Sequence, residues 1–135
     1  MDSIRIFGYK SFKKLSVQLH PINLLIGANG AGKSNFLSLF EMLGNIYEKR
    51  LGAYVAQVGG VDKLLYQGRK VTDRIAVNLL IAKSEYDLAL LESDGKLIVE
   101  REVVGCYDDV CPWCIGRRCC RFLRRLASRR RNRQH

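Results

Sequence analysis

Apolar residues at every second position open the chain. Ile4 and Ile6 flank Arg5, and Leu15, Val17 and Leu19 alternate with Ser16, Gln18 and His20. A period of two marks half-buried strands with one wet face. The pattern therefore predicts a strand pair joined by a polar connection over residues 8–14. Pro21 then punctuates the chain, because it cannot donate to a ladder. Residues 22–26 differ in kind: Ile22, Leu24, Leu25 and Ile26 surround one Asn and run straight into glycines. Such a run predicts a strand buried on both faces with parallel neighbours.

After the glycines the period changes. Phe36, Leu39, Phe40, Leu43 and Tyr47 recur at spacings of three and four. This predicts an amphipathic helix from near Gly32 to around Lys49 and Arg50. Gly44 lies inside it and costs up to about 1 kcal/mol relative to Ala, which predicts fraying at the far end. Residues 51–73 carry the weakest pattern, with loops at Gly59, Gly60 and Gly68 around a short turn of helix over 61–66. From Ile75 the period returns to two and predicts strands over 75–82, 86–92 and 96–104. Asp94-Gly95 supplies the hairpin turn between the last two.

Composition changes the picture in one place. The net charge of +10 over 135 residues is unevenly spread. Residues 106–135 hold nine Arg against two acidic residues, together with all five Cys and the only Trp. The remainder is nearly balanced and has room for one domain with a modest core. This divides the chain into a domain over 1–105 and a Cys/Arg-rich tail over 106–135. No apolar run approaches the roughly 20 residues of a membrane helix, and the N-terminus lacks the features of a secretory signal. The expectation is a soluble cytoplasmic protein with no membrane partner.

The candidate chemistry lies in Gly27, Ala28, Asn29, Gly30, Ala31, Gly32, Lys33 and Ser34, which match G-x-x-x-x-G-K-S in full. A triphosphate presents dense negative charge, which backbone N–H groups can meet. Glycines let the backbone curl around the phosphates without a Cβ in the way. The following helix aims its positive dipole end at the same place. Lys33 is expected to reach the β and γ phosphates, and the Ser34 hydroxyl to hold Mg²⁺. The predicted cofactors are ATP and Mg²⁺.

With Asn35 added to that loop, and with the opening Ser3-Ile4-Arg5-Ile6-Phe7-Gly8-Tyr9-Lys10-Ser11-Phe12, the chain resembles the N-terminus of ABC-type P-loop ATPases. The likeness is to the RecF and SMC-like group, including bacterial AAA family ATPases and overcoming-lysogenization ATPases. Gly59 through Gly68 also look like a stretch that recurs there. The resemblance covers about residues 1–105, strongly to residue 50. It implies an α/β fold: the N-terminal lobe of a P-loop NTPase with an antiparallel β-meander, incomplete, followed by a poorly structured basic tail. It also implies an ATP sandwich between two copies, work on DNA or a partner effector, and nucleotide contacts from Asn35 and Lys10. Lys10 reads equally as a solvated loop charge.

Hydrolysis in that group needs an acidic pair after a second apolar strand and a signature loop. No apolar run in this sequence ends in Asp-Glu, and no Leu-Ser-Gly-Gly-like signature stands in it. Glu92 and Glu100 are the nearest carboxylates, but they flank the Asp94-Gly95 turn and read as hairpin residues. Gln57 is a candidate for the family's metal-sensing Gln. The expectation is the first third of a longer ATPase, one that binds nucleotide and does not turn it over.

The tail leaves several readings open. Cys111 and Cys114 have the C-x-x-C spacing of zinc and redox sites, and Cys119 and Cys120 could complete four thiolates around Zn²⁺. The Arg run, interleaved with Phe122, Leu123 and Leu126, could bind nucleic acid or an anionic surface. The abrupt switch from Lys, Ile and Leu to Arg and Cys is what a frameshift produces, and the tail is expected to be foreign to the family. A small nucleic-acid- or zinc-binding protein, or a non-functional product, is the alternative to an ATP-binding fragment.

Overall fold

The computed structural model describes residues 2–106. Alternation at the N-terminus becomes strands β1 (Asp2–Tyr9) and β2 (Phe12–Leu19). Helix α1 (Lys33–Tyr47) follows the glycine loop, then helix α2 (Leu51–Val58) and a 3-10 turn at Val61–Lys63. The later period-two region forms β3 (Arg74–Ile81), β4 (Ser84–Ser93) and β5 (Lys96–Cys106). The strands make one sheet in the order β2-β1-β3-β4-β5. All four pairings are antiparallel.

Register decides which face each residue serves. Ile4 lies between Val17 and Leu79, and Ile6 between Leu15 and Val77. Val77 in turn faces Leu88, and Ile75 faces Leu90. These rows form the inner face and are mostly buried. Arg5, Phe7, Asn78 and Asp87 occupy the alternate positions and form an outer face. The inner face shares one core with Phe36, Leu39 and Met42 of α1, Tyr54 and Val55 of α2, and Val61, Leu64 and Leu65 of the following loop. Burying a side chain of Leu or Ile size stabilises by about 1.5–3 kcal/mol, so this seam holds the helices on the sheet.

Several expectations are corrected. Residues 22–26 are not a strand: they are coil, with Ile22 89%, Leu24 81% and Ile26 85% exposed. An extended segment becomes a strand only when its N–H and C=O groups find a ladder. The described strands pair only with one another and offer it none. The polar connection over 8–14 shrinks to a turn at Lys10 and Ser11, because pairing of Tyr9 with Phe12 extends both strands. Helix α1 continues through Gly44 and ends at Tyr47, with Lys49 at φ 60° terminating the chain direction. Its buried stripe runs through Phe36, Leu39 and Met42, while Phe40 and Tyr47 face out. Helix α2 occupies residues that carry little polar contrast, so its period was illegible.

Candidate functional site

Two glycines shape the loop. Gly30 and Gly32 have φ of 85° and 92°, in the left-handed region that L side chains avoid. The amide of Ala31 donates to the Ala28 carbonyl at 3.2 Å and closes a turn. Gly32 also permits close packing: a Cβ there would lie 3.0 Å from the Phe12 ring and 3.2 Å from Ser11 Oγ. The β1–β2 turn therefore presses directly on the start of α1.

Helix α1 begins at Lys33, and its first bond runs from the Phe36 amide to the Gly32 carbonyl at 2.9 Å. No side chain caps this end, and its first turn holds no carboxylate. The first amides of a helix lack intrahelical acceptors, so an uncapped end is electropositive. Lys33 Nζ donates to the carbonyls of Gly27 and, at 2.7 Å, Ala28. Its ammonium thus spans the loop instead of extending into solvent. Ser34 is exposed at the same helix end.

Asn35 and Lys10 are brought onto one side of α1. Asn35 Nδ2 donates to Ser11 Oγ at 2.9 Å, which ties the helix start to the β1–β2 turn. Lys10 Nζ donates to Ser38 Oγ at 2.8 Å, one helical turn after Ser34. Ser38 gives its proton to the Asn35 carbonyl at 2.9 Å, and Tyr9 Oη lies 2.9 Å from the same hydroxyl oxygen. A hydroxyl has one proton, so Tyr9 is the donor in that last bond. Tyr54 Oη donates to the Ser38 carbonyl at 3.3 Å. Burial lowers the Lys10 pKa against a smaller opposing pull from Glu41. Burial also raises the phenols of Tyr9 and Tyr54. The Tyr9–Ser38–Tyr54 network was not legible in sequence. Its one available signal was Ser38, four residues after Ser34 on the same helix.

An open cleft of about 610 Å³ adjoins this network, bordered by Lys10, Ser11, Asn35, Asp62, Gln67 and Gly68. The glycine loop itself does not line it, and neither does Gln57, which stands exposed on α2. The two candidate carboxylates have structural partners. Glu92 accepts from the Gly95 amide at 2.8 Å, inside the hairpin turn, and Glu100 pairs with Arg74 at 3.3 Å. Among the described residues no cluster of three His, Cys, Asp or Glu could hold a metal, and no helix is long and apolar enough to cross a membrane. The cysteines at 111, 114, 119 and 120 and the Arg run lie outside the described residues.

A family model described as "AAA ATPase domain" matches residues 1–98, which include the glycine loop, both helices and the sheet to the start of β5. The chain belongs to the AAA ATPase domain family. No curated protein and no solved structure matches it. Membership makes this an AAA-type ATPase sequence with an α/β fold, and AAA ATPase domains generally bind ATP with Mg²⁺.

Proposed function

We propose that Gly27 through Ser34 form a Walker A P-loop that binds ATP with Mg²⁺, in the N-terminal lobe of a RecF/SMC-like ATPase. The uncapped, carboxylate-free start of α1 directly after two left-handed glycines carries this reading. That end supplies amide donors and a positive field where phosphate oxygens would sit. The donor set fits the ligand. Lys33 is held by neutral carbonyls that a phosphate can outcompete, since charge-assisted bonds to an anion are the stronger ones. Ser34 would offer its hydroxyl oxygen to Mg²⁺, which would supply positive charge against the phosphates. Asn35 would set the loop against Ser11, and Lys10 would add positive charge beside the helix start.

Among the described residues Glu92 and Glu100 serve a hairpin turn and an ion pair, so the proposal is one of binding and assigns no hydrolytic residue. The parent activity falls in DNA repair or phage defence, with an ATP sandwich between two copies and DNA as partner. Titration with a fluorescent ATP analogue in Mg²⁺ tests the proposal. Lys33→Ala should weaken binding at least about tenfold, the effect of losing one charge-assisted contact worth about 1.4 kcal/mol or more. Unchanged affinity in that variant overturns it.

A further inference from the structure

Among the described residues strand β5 is an edge of the sheet, eleven residues long, with β4 as its one neighbour. No described strand pairs with its other side, and the N–H and C=O groups of a strand edge are a template for another strand. Ile98, Val99, Val103 and Val104 are each about two-fifths exposed along it. Between these two apolar pairs stand Glu100, Arg101 and Glu102. Charges at an edge usually deter strangers. Here they are arranged so that one partner fits.

Against β4, Ala89 faces Arg101 and Leu90 faces Val99, so Glu100 is an extra, bulged residue. Glu100 reaches Arg74 at 3.3 Å and Arg101 reaches Asp87 at 2.6 Å. Arg74 and Asp87 both belong to the outer face, so Glu100 and Arg101 lie side by side on that face.

We infer that β5 pairs with β5 of a second copy of this chain, antiparallel, with Glu100 of each opposite Arg101 of the other. In that register Ile98 meets Val103 on the outer face. Leu97 meets Val104 and Val99 meets Glu102 on the inner face. A shift of one residue normally puts inner side chains opposite outer ones. The bulge adds the residue that removes this conflict, and the second copy carries the same bulge at the same place. The contact is isologous and closes as a two-fold dimer. Two Glu–Arg pairs flank the axis, whereas the neighbouring register would set Arg101 against Arg101, a like-charge pair that destabilises. Strand β2, the other edge, carries Lys13 and Lys14 with no acidic residue and would meet itself in repulsion.

Sedimentation of the full chain, under reductant and without nucleotide, tests the inference independently of the ATP-site reading. The chain should show a reversible monomer–dimer equilibrium. Arg101→Glu or Glu100→Arg alone should weaken it about tenfold or more, because each turns both symmetric pairs repulsive. The exchange Glu100→Arg with Arg101→Glu should restore it to within about threefold. Breakage of the internal bridges to Arg74 and Asp87 predicts the opposite order, with the double variant worst. A monomer throughout, a dimer indifferent to the single changes, or a double variant without rescue overturns the inference. Circular dichroism confirms that each variant retains its sheet.

Discussion

Gly8 shows how a single position couples two distant segments. It sits on β1 at φ 73°, and its carbonyl accepts from the Tyr66 amide at 3.0 Å. A Cβ built there would run into the Arg74 carbonyl and lie 2.9 Å from Thr72 Cγ2. Neither a backbone carbonyl nor a strand end can step aside cheaply. Gly8→Ala therefore combines a left-handed penalty with overlap, and should cost more than about 2 kcal/mol in a urea melt. A loss within about 0.5 kcal/mol would show that β1 and β3 can part there without consequence. Lys33 and Gly32 act locally by comparison, since one spans the loop and the other admits the Phe12 ring.

Helix α1 links the loop to the sheet, and its two faces do different work. Leu39 and Met42 are fully buried against the inner face, whereas Leu37 is 60% exposed. Phe36 and Phe40 meet edge to face, with centroids 5.5 Å apart, so the exposed Phe40 still braces a core residue. Leu39→Ala should cost about 2–5 kcal/mol, the range for a large core side chain removed. Leu37→Ala should stay within about 0.5 kcal/mol. Denaturant midpoints of the pair check both numbers, and similar losses would mean the helix is seated differently. The hairpin between β4 and β5 has its own local lock, because Glu92 accepts from the Gly95 amide across the Asp94-Gly95 turn.

Over the whole molecule, three phenols share a consequence. Burial, the largest cause in each case, raises the pKa of Tyr9, Tyr54 and Tyr86. Tyr86 also donates to Glu102 at 2.9 Å, and its phenolate would face that carboxylate. In the unfolded chain these groups ionise near pH 10. Above that pH the folded state holds more protons than the unfolded one, so stability falls as pH rises. The depressed Lys10 works the other way just below its usual pKa of about 10.5, but one amine opposes three phenols. The urea midpoint should therefore drop between about pH 10 and 11 and drop less steeply in Tyr86→Phe. A flat midpoint across that interval contradicts the buried phenols.

Local pattern was enough to place most elements, because period-two and period-3.6 alternation are properties of a segment alone. The strands at both ends, the helix after Gly32, the Asp94-Gly95 turn and the G-x-x-x-x-G-K-S loop were all legible in this way. Residues 22–26 show the limit. Their composition says strand, but a strand needs a neighbour, and pairing is decided by the rest of the sheet. The tertiary structure also chose the helix stripe, burying Met42 and leaving Phe40 and Tyr47 outside. It likewise joined Tyr9, Lys10, Ser38 and Tyr54 across 45 residues of sequence. Most of the elements, the glycine-loop motif and the likeness to ATPases could thus be read from local pattern alone. What lies beside the loop, and which strands stand at the sheet edges among the described residues, depends instead on contacts between residues far apart along the chain, which no local pattern encodes.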